Sequence, residues 1–183
     1  MELLSPIGGI IGLAGFVMLI VALLRTNTEQ SFAAFLLWAM LDGIATITTI
    51  IQHGNYWLPL ANAAGSATIT IILIGKKQIS WSWIETMTAL LVVGCLVVWY
   101  TSGEQAGIVA SSLAVVIASV PQMVDTFKKP EATPTLVYTV FLIGNILSVV
   151  GGKDWSIEER FYQCCGVFLC AVIVGFSMKK LLR

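Results

Sequence analysis

The sequence predicts an all-α integral membrane protein with seven transmembrane helices, built as 3+1+3 parallel repeats. Three observations predict it. The first is composition: 57% of the 183 residues are hydrophobic and only 11% charged, at a mean hydropathy of +0.90. A soluble domain is about a quarter charged, so a chain this apolar needs the bilayer as part of its solvent. The second is that the apolar residues fall in seven continuous runs. The third is that the basic residues between the runs divide unequally between the two sides of the membrane.

The runs, in order, are about Pro6 to Leu24, Phe32 to Ile51, Trp57 to Gly75, Trp83 to Tyr100, Gly107 to Phe127, Thr135 to Val150 and Phe161 to Met178. Most have the ~20 residues that cross ~30 Å of hydrocarbon as helix. The sixth is the shortest and borders glycines into which it can extend. The runs are unbroken rather than alternating, and too long for barrel strands, so they predict helices. Short loops join them, and no soluble domain or low-complexity tract intervenes.

Seven crossings put the two termini on opposite sides. Arg25, Lys76, Lys77, Lys128, Lys129, Lys179, Lys180 and Arg183 then share one side, and only Lys153 and Arg160 the other. Positive charge stays cytoplasmic, which predicts an N-terminus outside and a C-terminus in the cytoplasm, in a bacterial-type inner membrane or a plasma membrane. The opening MELLSPIGG has no basic n-region, so the first run is expected to be retained.

A shift of 103 residues lays the first three runs on the last three. Lys76-Lys77 falls on Lys179-Lys180, Arg25 on Lys128, Asp42 on Asn145 and Trp38 on Phe141. Three crossings reverse a chain, so two parallel three-helix units need an odd helix between them, and the fourth run supplies it. The expected divisions are residues 1–80, a linker helix within 81–104, and residues 105–183. Parallel repeats of this kind place a solute site near mid-membrane between the halves.

Pro121-Gln122 stands near the cytoplasmic end of the fifth run. A basic linker containing Pro130 and Pro134 follows, then a sixth run carrying Asn145. With these residues the chain resembles the PQ-loop superfamily, which includes the SWEET sugar transporters, cystinosin and the KDEL receptor. The resemblance in architecture covers nearly the whole chain, the motif itself about 30 residues. It implies a hinge at Pro121 for alternating access and an inner gate near Asp125. The first unit carries Met18-Leu19 where the second has Pro121-Gln122, so the implied hinge is one-sided.

The residues have readings of their own. Pro121 lacks an amide proton and clashes one turn back, so it predicts a bend near Val116 to Val120; the alternative to a hinge is a static kink. Gln122 can bond across helices or to the freed carbonyl. Asp42 lies midway along LLWAMLDGIATI, where an unpaired carboxylate costs several kcal/mol. It must face the interior and either find a partner or take up a proton, which suits a solute or proton-coupling site; the alternative is a purely structural carboxyl. Gly43 beside it permits close helix approach. Asn145 at the matching depth also needs a partner, and the repeat offers Asp42. Trp38 and Phe141 precede these two by one turn, on the same helix faces, as an aromatic floor or as ordinary packing. Asn62 sits among Ala61, Ala63, Ala64, Gly65, Ser66 and Ala67, a small-residue surface for packing, with Asn62 as a polar contact to a cavity. Asp125 is expected to pair with Lys128 or Lys129. Glu158 and Glu159, beside Arg160, read as helix-start acids, with an outer-gate salt bridge as the alternative, and Tyr56, Trp57, Trp81, Trp83, Trp99, Tyr100 and Trp155 as an interfacial belt.

Catalytic readings find little support. His53 is the single histidine, and Cys95, Cys164, Cys165 and Cys170 lack ligand spacing, so no metal and no cofactor is expected. Nucleotide loops are absent, and no basic block suggests nucleic acid. The expected function is a membrane transporter of a small polar solute, with protons as coupling ion at Asp42. Alternatives on the same residues are a receptor or sorting adaptor, or the binding subunit of a vitamin importer. The expected partners are the solute, protons and lipid. A homo-oligomer is left open, since seven helices can enclose a path alone.

Overall fold

The computed structural model describes residues 3–25, 31–79, 81, 83–128, 130 and 135–178. Among them lie eight helices: α1 (Leu4–Arg25), α2 (Phe32–Ile51), α3 (Trp57–Gly75), α4 (Trp83–Ser102), α5 (Glu104–Ala118), α6 (Val120–Lys128), α7 (Thr135–Gly151) and α8 (Ile157–Ser177). The second and third apolar runs coincide with α2 and α3 to the residue, because polar loops and capping residues bound both. Ser31 caps α2 by accepting the Ala34 amide, as a serine at that position does. The sixth run takes in Gly151, one of the glycines that border it.

α1, α2, α3, α8 and the combined span Glu104–Lys128 are long and apolar enough to cross a membrane, and Thr86–Ser102 and Thr135–Gly151 are shorter apolar helices. Large apolar side chains such as Leu24, Ile71, Leu90 and Leu136 face outward. A soluble monomer does not leave such a surface uncovered, so the molecule is an all-α membrane protein.

Six helical rods pack in a closed ring, and each touches its two neighbours: α1 with α7, α7 with α8, α8 with α5 and α6, α5 with α2, α2 with α3, and α3 with α1. α4 lies outside the ring against α2 and α5. Leu37, Leu41, Ile44, Val92, Cys95 and Ala114 form the core under α4, and Phe16, Leu23, Phe35, Ile69 and Leu73 a second core between α1, α2 and α3.

The bend expected before Pro121 is a break between α5 and α6. Proline offers no amide to the carbonyl one turn back. At the break the Ser119 amide is shared between the carbonyls of Val115 and Val116, at 3.1 and 3.2 Å, and Met123 resumes the ladder on the Ser119 carbonyl. The Ser119 hydroxyl also donates to Val115 O, at 2.8 Å, the local back-bond that serine makes to the preceding turn.

Close approach occurs at other glycines than the one expected. A Cβ on Gly43 would meet nothing within 4 Å. Where α1 crosses α7, a Cβ on Gly8 would lie 2.7 Å from the Gly144 carbonyl oxygen, and one on Gly144 would lie 2.9 Å from that of Gly8. Small residues at a crossing let backbones touch. The small-residue surface of α3 is packing, as expected: the Phe16 ring fills the space beside Gly65. Of the aromatic belt, Trp57, Trp81, Trp83, Tyr100 and Trp155 are exposed. Trp99 is not, because it packs on Gly107 where α4 meets α5.

Candidate functional site

The ring encloses a cavity of about 280 Å³. Asp42, Asn62, Trp38, Phe141, Asn145 and Gln122 all line it, although they come from α2, α3, α7 and α6. The side chains of Pro121 and Asp125 lie outside the described residues, as do Lys129 and Pro134, so the expected Asp125 pair falls there too.

Asp42 is 3% exposed. Its Oδ1 accepts a hydrogen bond from the Tyr162 hydroxyl at 2.7 Å, and the Tyr162 oxygen accepts one from Asn62 Nδ2 at 2.8 Å. With its oxygen receiving the Asn62 proton, Tyr162 directs its own proton at Asp42. Three helices, α3, α8 and α2, are thereby joined by donors that all run toward the carboxyl, and such chains polarise one another. In hydrocarbon this is how a buried acid avoids being left unpaired.

The expected Asp42–Asn145 pair does not form. Asn145 turns Nδ2 back to the Phe141 carbonyl of its own helix, at 2.8 Å, a local acceptor one turn away. Its Oδ1 is buried with no hydrogen-bond partner and lies against Gly166 of α8, where a Cβ would collide with it. The residue that takes Asn145's expected place is Tyr162, which sequence reasoning passed over. A signal was present: Tyr162, Cys165, Gly166, Leu169 and Cys170 recur at the three- and four-residue spacing of one helix face, and all line the cavity. The repeat matched Asn62 to Cys165, which is the right face of α8 but one turn beyond the tyrosine.

The aromatic residues gather on one side of Asp42. Phe16 and Phe141 meet edge to face with ring centres 5.0 Å apart, as do Phe35 and Trp38 at 5.3 Å. All four line the cavity, with Tyr138. From there the wall reaches Ser31 at the start of α2, Leu19 near the end of α1, and Gln122 in α6, where Gln122 Nε2 donates to Thr126 at 3.3 Å. The cavity therefore runs from mid-membrane toward the helix ends near Ser31.

The opposite end is closed. Asn55, in the α2–α3 connection, donates to both the carbonyl and the hydroxyl of Ser148 on α7, at 3.1 and 3.2 Å. Its carbonyl accepts from Gln163 on α8 at 2.8 Å, and its amide donates to the Glu158 carbonyl at 3.1 Å. Glu159 is more than a helix-start acid: it is buried, accepts the Lys153 amide at 3.0 Å and pairs with the Lys153 ammonium at 3.7 Å. Arg160 donates to the carbonyls of Val149 and Gly152 at the end of α7, where a cation is favoured, and lies over the Trp155 ring at 4.2 Å.

The four cysteines are free, and no cluster that holds a metal occurs among the described residues. Fold and site together define a helical membrane protein with a central chamber that contains one acid among its described residues, is closed at one end and extends toward the other. The chain matches no protein-family model, no curated protein and no solved structure.

Proposed function

We propose that this protein is a carrier that moves a small polar solute across the membrane by exposing the central cavity to each side in turn. The observation that carries the reading is the convergence of Asp42, Asn62, Asn145, Trp38, Phe141 and Gln122, from four helices far apart in sequence, on one chamber. Side chains singled out as costly in lipid are expected to face a polar path.

The helix ring supports a seven-crossing, 3+1+3 plan. Exchange α1 with the α5–α6 rod, α2 with α7 and α3 with α8, and every contact of the ring maps onto another contact of the ring. Such an exchange supports a reading as two parallel three-helix units, residues 1–80 and 105–183, with α4 as the linker between them. It agrees with the resemblance to the PQ-loop superfamily, as does the break one residue before Val120-Pro121-Gln122. On the charge-based orientation the Ser31 end faces the cytoplasm, so this conformation is the inward-facing one. Opening the other end requires breaking the Asn55 and Glu159 contacts while the aromatic side closes, with the α5–α6 break as hinge. Asp42 serves as the solute or proton site.

Cys165 is a built-in reporter, half-buried on the cavity wall. With Cys95, Cys164 and Cys170 replaced by alanine, a membrane-impermeant thiol reagent is expected to modify Cys165 in sealed vesicles of either orientation. Modification from one side only would contradict alternating access.

A further inference from the structure

The nature of the solute follows from the cavity wall, and this step rests on the carrier reading. We infer that the solute is a small organic cation that presents N–H donors to Asp42. Among the described residues lining the cavity there is one acid, Asp42, and no lysine, arginine or histidine. A bound anion would lie in a low-dielectric chamber with no counter-charge and beside a carboxyl, the costliest arrangement available. A zwitterion meets the same difficulty at its carboxylate.

The hydrogen-bonding groups point the same way. Several donors on the wall are engaged inside the protein. Asn62 donates to Tyr162 and Tyr162 to Asp42, Asn145 to Phe141 O, and Ser112 and Ser119 to Ile108 O and Val115 O of their own helix. One acceptor remains at the charge: Asp42 receives a bond on Oδ1 alone among the described residues. A carboxyl with an oxygen left open suits an ammonium, which has three donors and no acceptor. The aromatic rings between Asp42 and the Ser31 end add faces that attract cations. At about 30 Å³ per water in the liquid, the chamber holds the equivalent of about nine waters, so the solute has on the order of ten non-hydrogen atoms.

A matched set of probes tests this: aminobutanol, butanediol and hydroxybutyrate, alike in shape and differing in charge. Each is titrated against the purified wild type and Asp42→Asn, and apparent affinity is read from the rise in unfolding temperature, since a ligand of the folded state stabilises it by mass action. Aminobutanol is expected to bind the wild type roughly tenfold or more tightly than butanediol, to lose that advantage in Asp42→Asn, and hydroxybutyrate to bind least. The wild-type ranking stands as a test even if Asp42→Asn folds poorly. Equal or tighter binding of butanediol or hydroxybutyrate overturns the assignment, as does no binding by any probe. Cys165 accessibility separates the two readings. Two-sided access without a preference for the amine overturns the cation alone. A preference for the amine with one-sided access overturns the carrier alone.

Discussion

Tyr162 carries the hydroxyl on which the buried acid depends. Phenylalanine at this position keeps the ring but leaves Asp42 Oδ1 and Asn62 Nδ2 without their shared partner. Interhelical hydrogen bonds in membrane proteins contribute about 0.6 kcal/mol on average and up to about 1.7. Tyr162→Phe is therefore expected to lower stability by ~1–2 kcal/mol in mixed micelles, with a smaller loss in Asp42→Asn,Tyr162→Phe than the single changes sum to. Strict additivity would contradict the coupling. Gly166 gives a second test. An alanine there meets Asn145 Oδ1, whereas Gly175 on the same helix faces open space. Gly166→Ala is expected to cost ~1–3 kcal/mol and Gly175→Ala close to nothing, both measured by thermal unfolding. The polar positions themselves were legible in the sequence, because Asp42, Asn62 and Asn145 are costly in lipid and so must face inward. Their partners were not. Hydrogen-bond geometry depends on helix rotation to within a few tens of degrees, which the 103-residue shift does not supply, so Asn145 stood where Tyr162 belongs.

Helix boundaries were the easiest feature to read, since seven apolar runs separated by charge leave few alternatives, and Pro121 located the break between α5 and α6 from its missing amide alone. Crossings were harder. Glycine is frequent in every run, and only the assembled ring shows that Gly8 meets Gly144 while Gly43 meets nothing. Gly144→Val is therefore expected to force α1 and α7 apart and to lower yield and thermal stability, whereas Gly43→Val is tolerated far better. Equal losses at the two sites would contradict the packing. For the break, Pro121→Ala restores a donor for the carbonyl one turn back and is expected to straighten α5 into α6. The protein is expected to remain folded, with thermal stability unchanged or raised, while Cys165 becomes accessible from one side only. Unchanged two-sided access would remove the break from the mechanism.

The whole molecule is a ring whose contacts are unchanged when its halves are exchanged, yet whose two ends differ: polar contacts among Asn55, Ser148, Gln163, Glu159 and Lys153 hold one end shut, and aromatic rings line the way to the other. Composition could indicate the membrane, because it is a sum over many residues. It could not show which end is closed, since that rests on a few individual contacts such as those of Asn55 with Ser148 and Gln163. The measurement to make is a pair of spin-label distances in lipid, one between Leu24 and Phe127 at the Ser31 end and one between Ile7 and Gln105 at the Asn55 end. Both pairs span the ring from α1 to the α5–α6 rod. A carrier that rocks about the chamber predicts two populations at each end, with the Ile7–Gln105 distance lengthening as the Leu24–Phe127 distance shortens. A single fixed distance at both ends, with or without a bound amine, would contradict it.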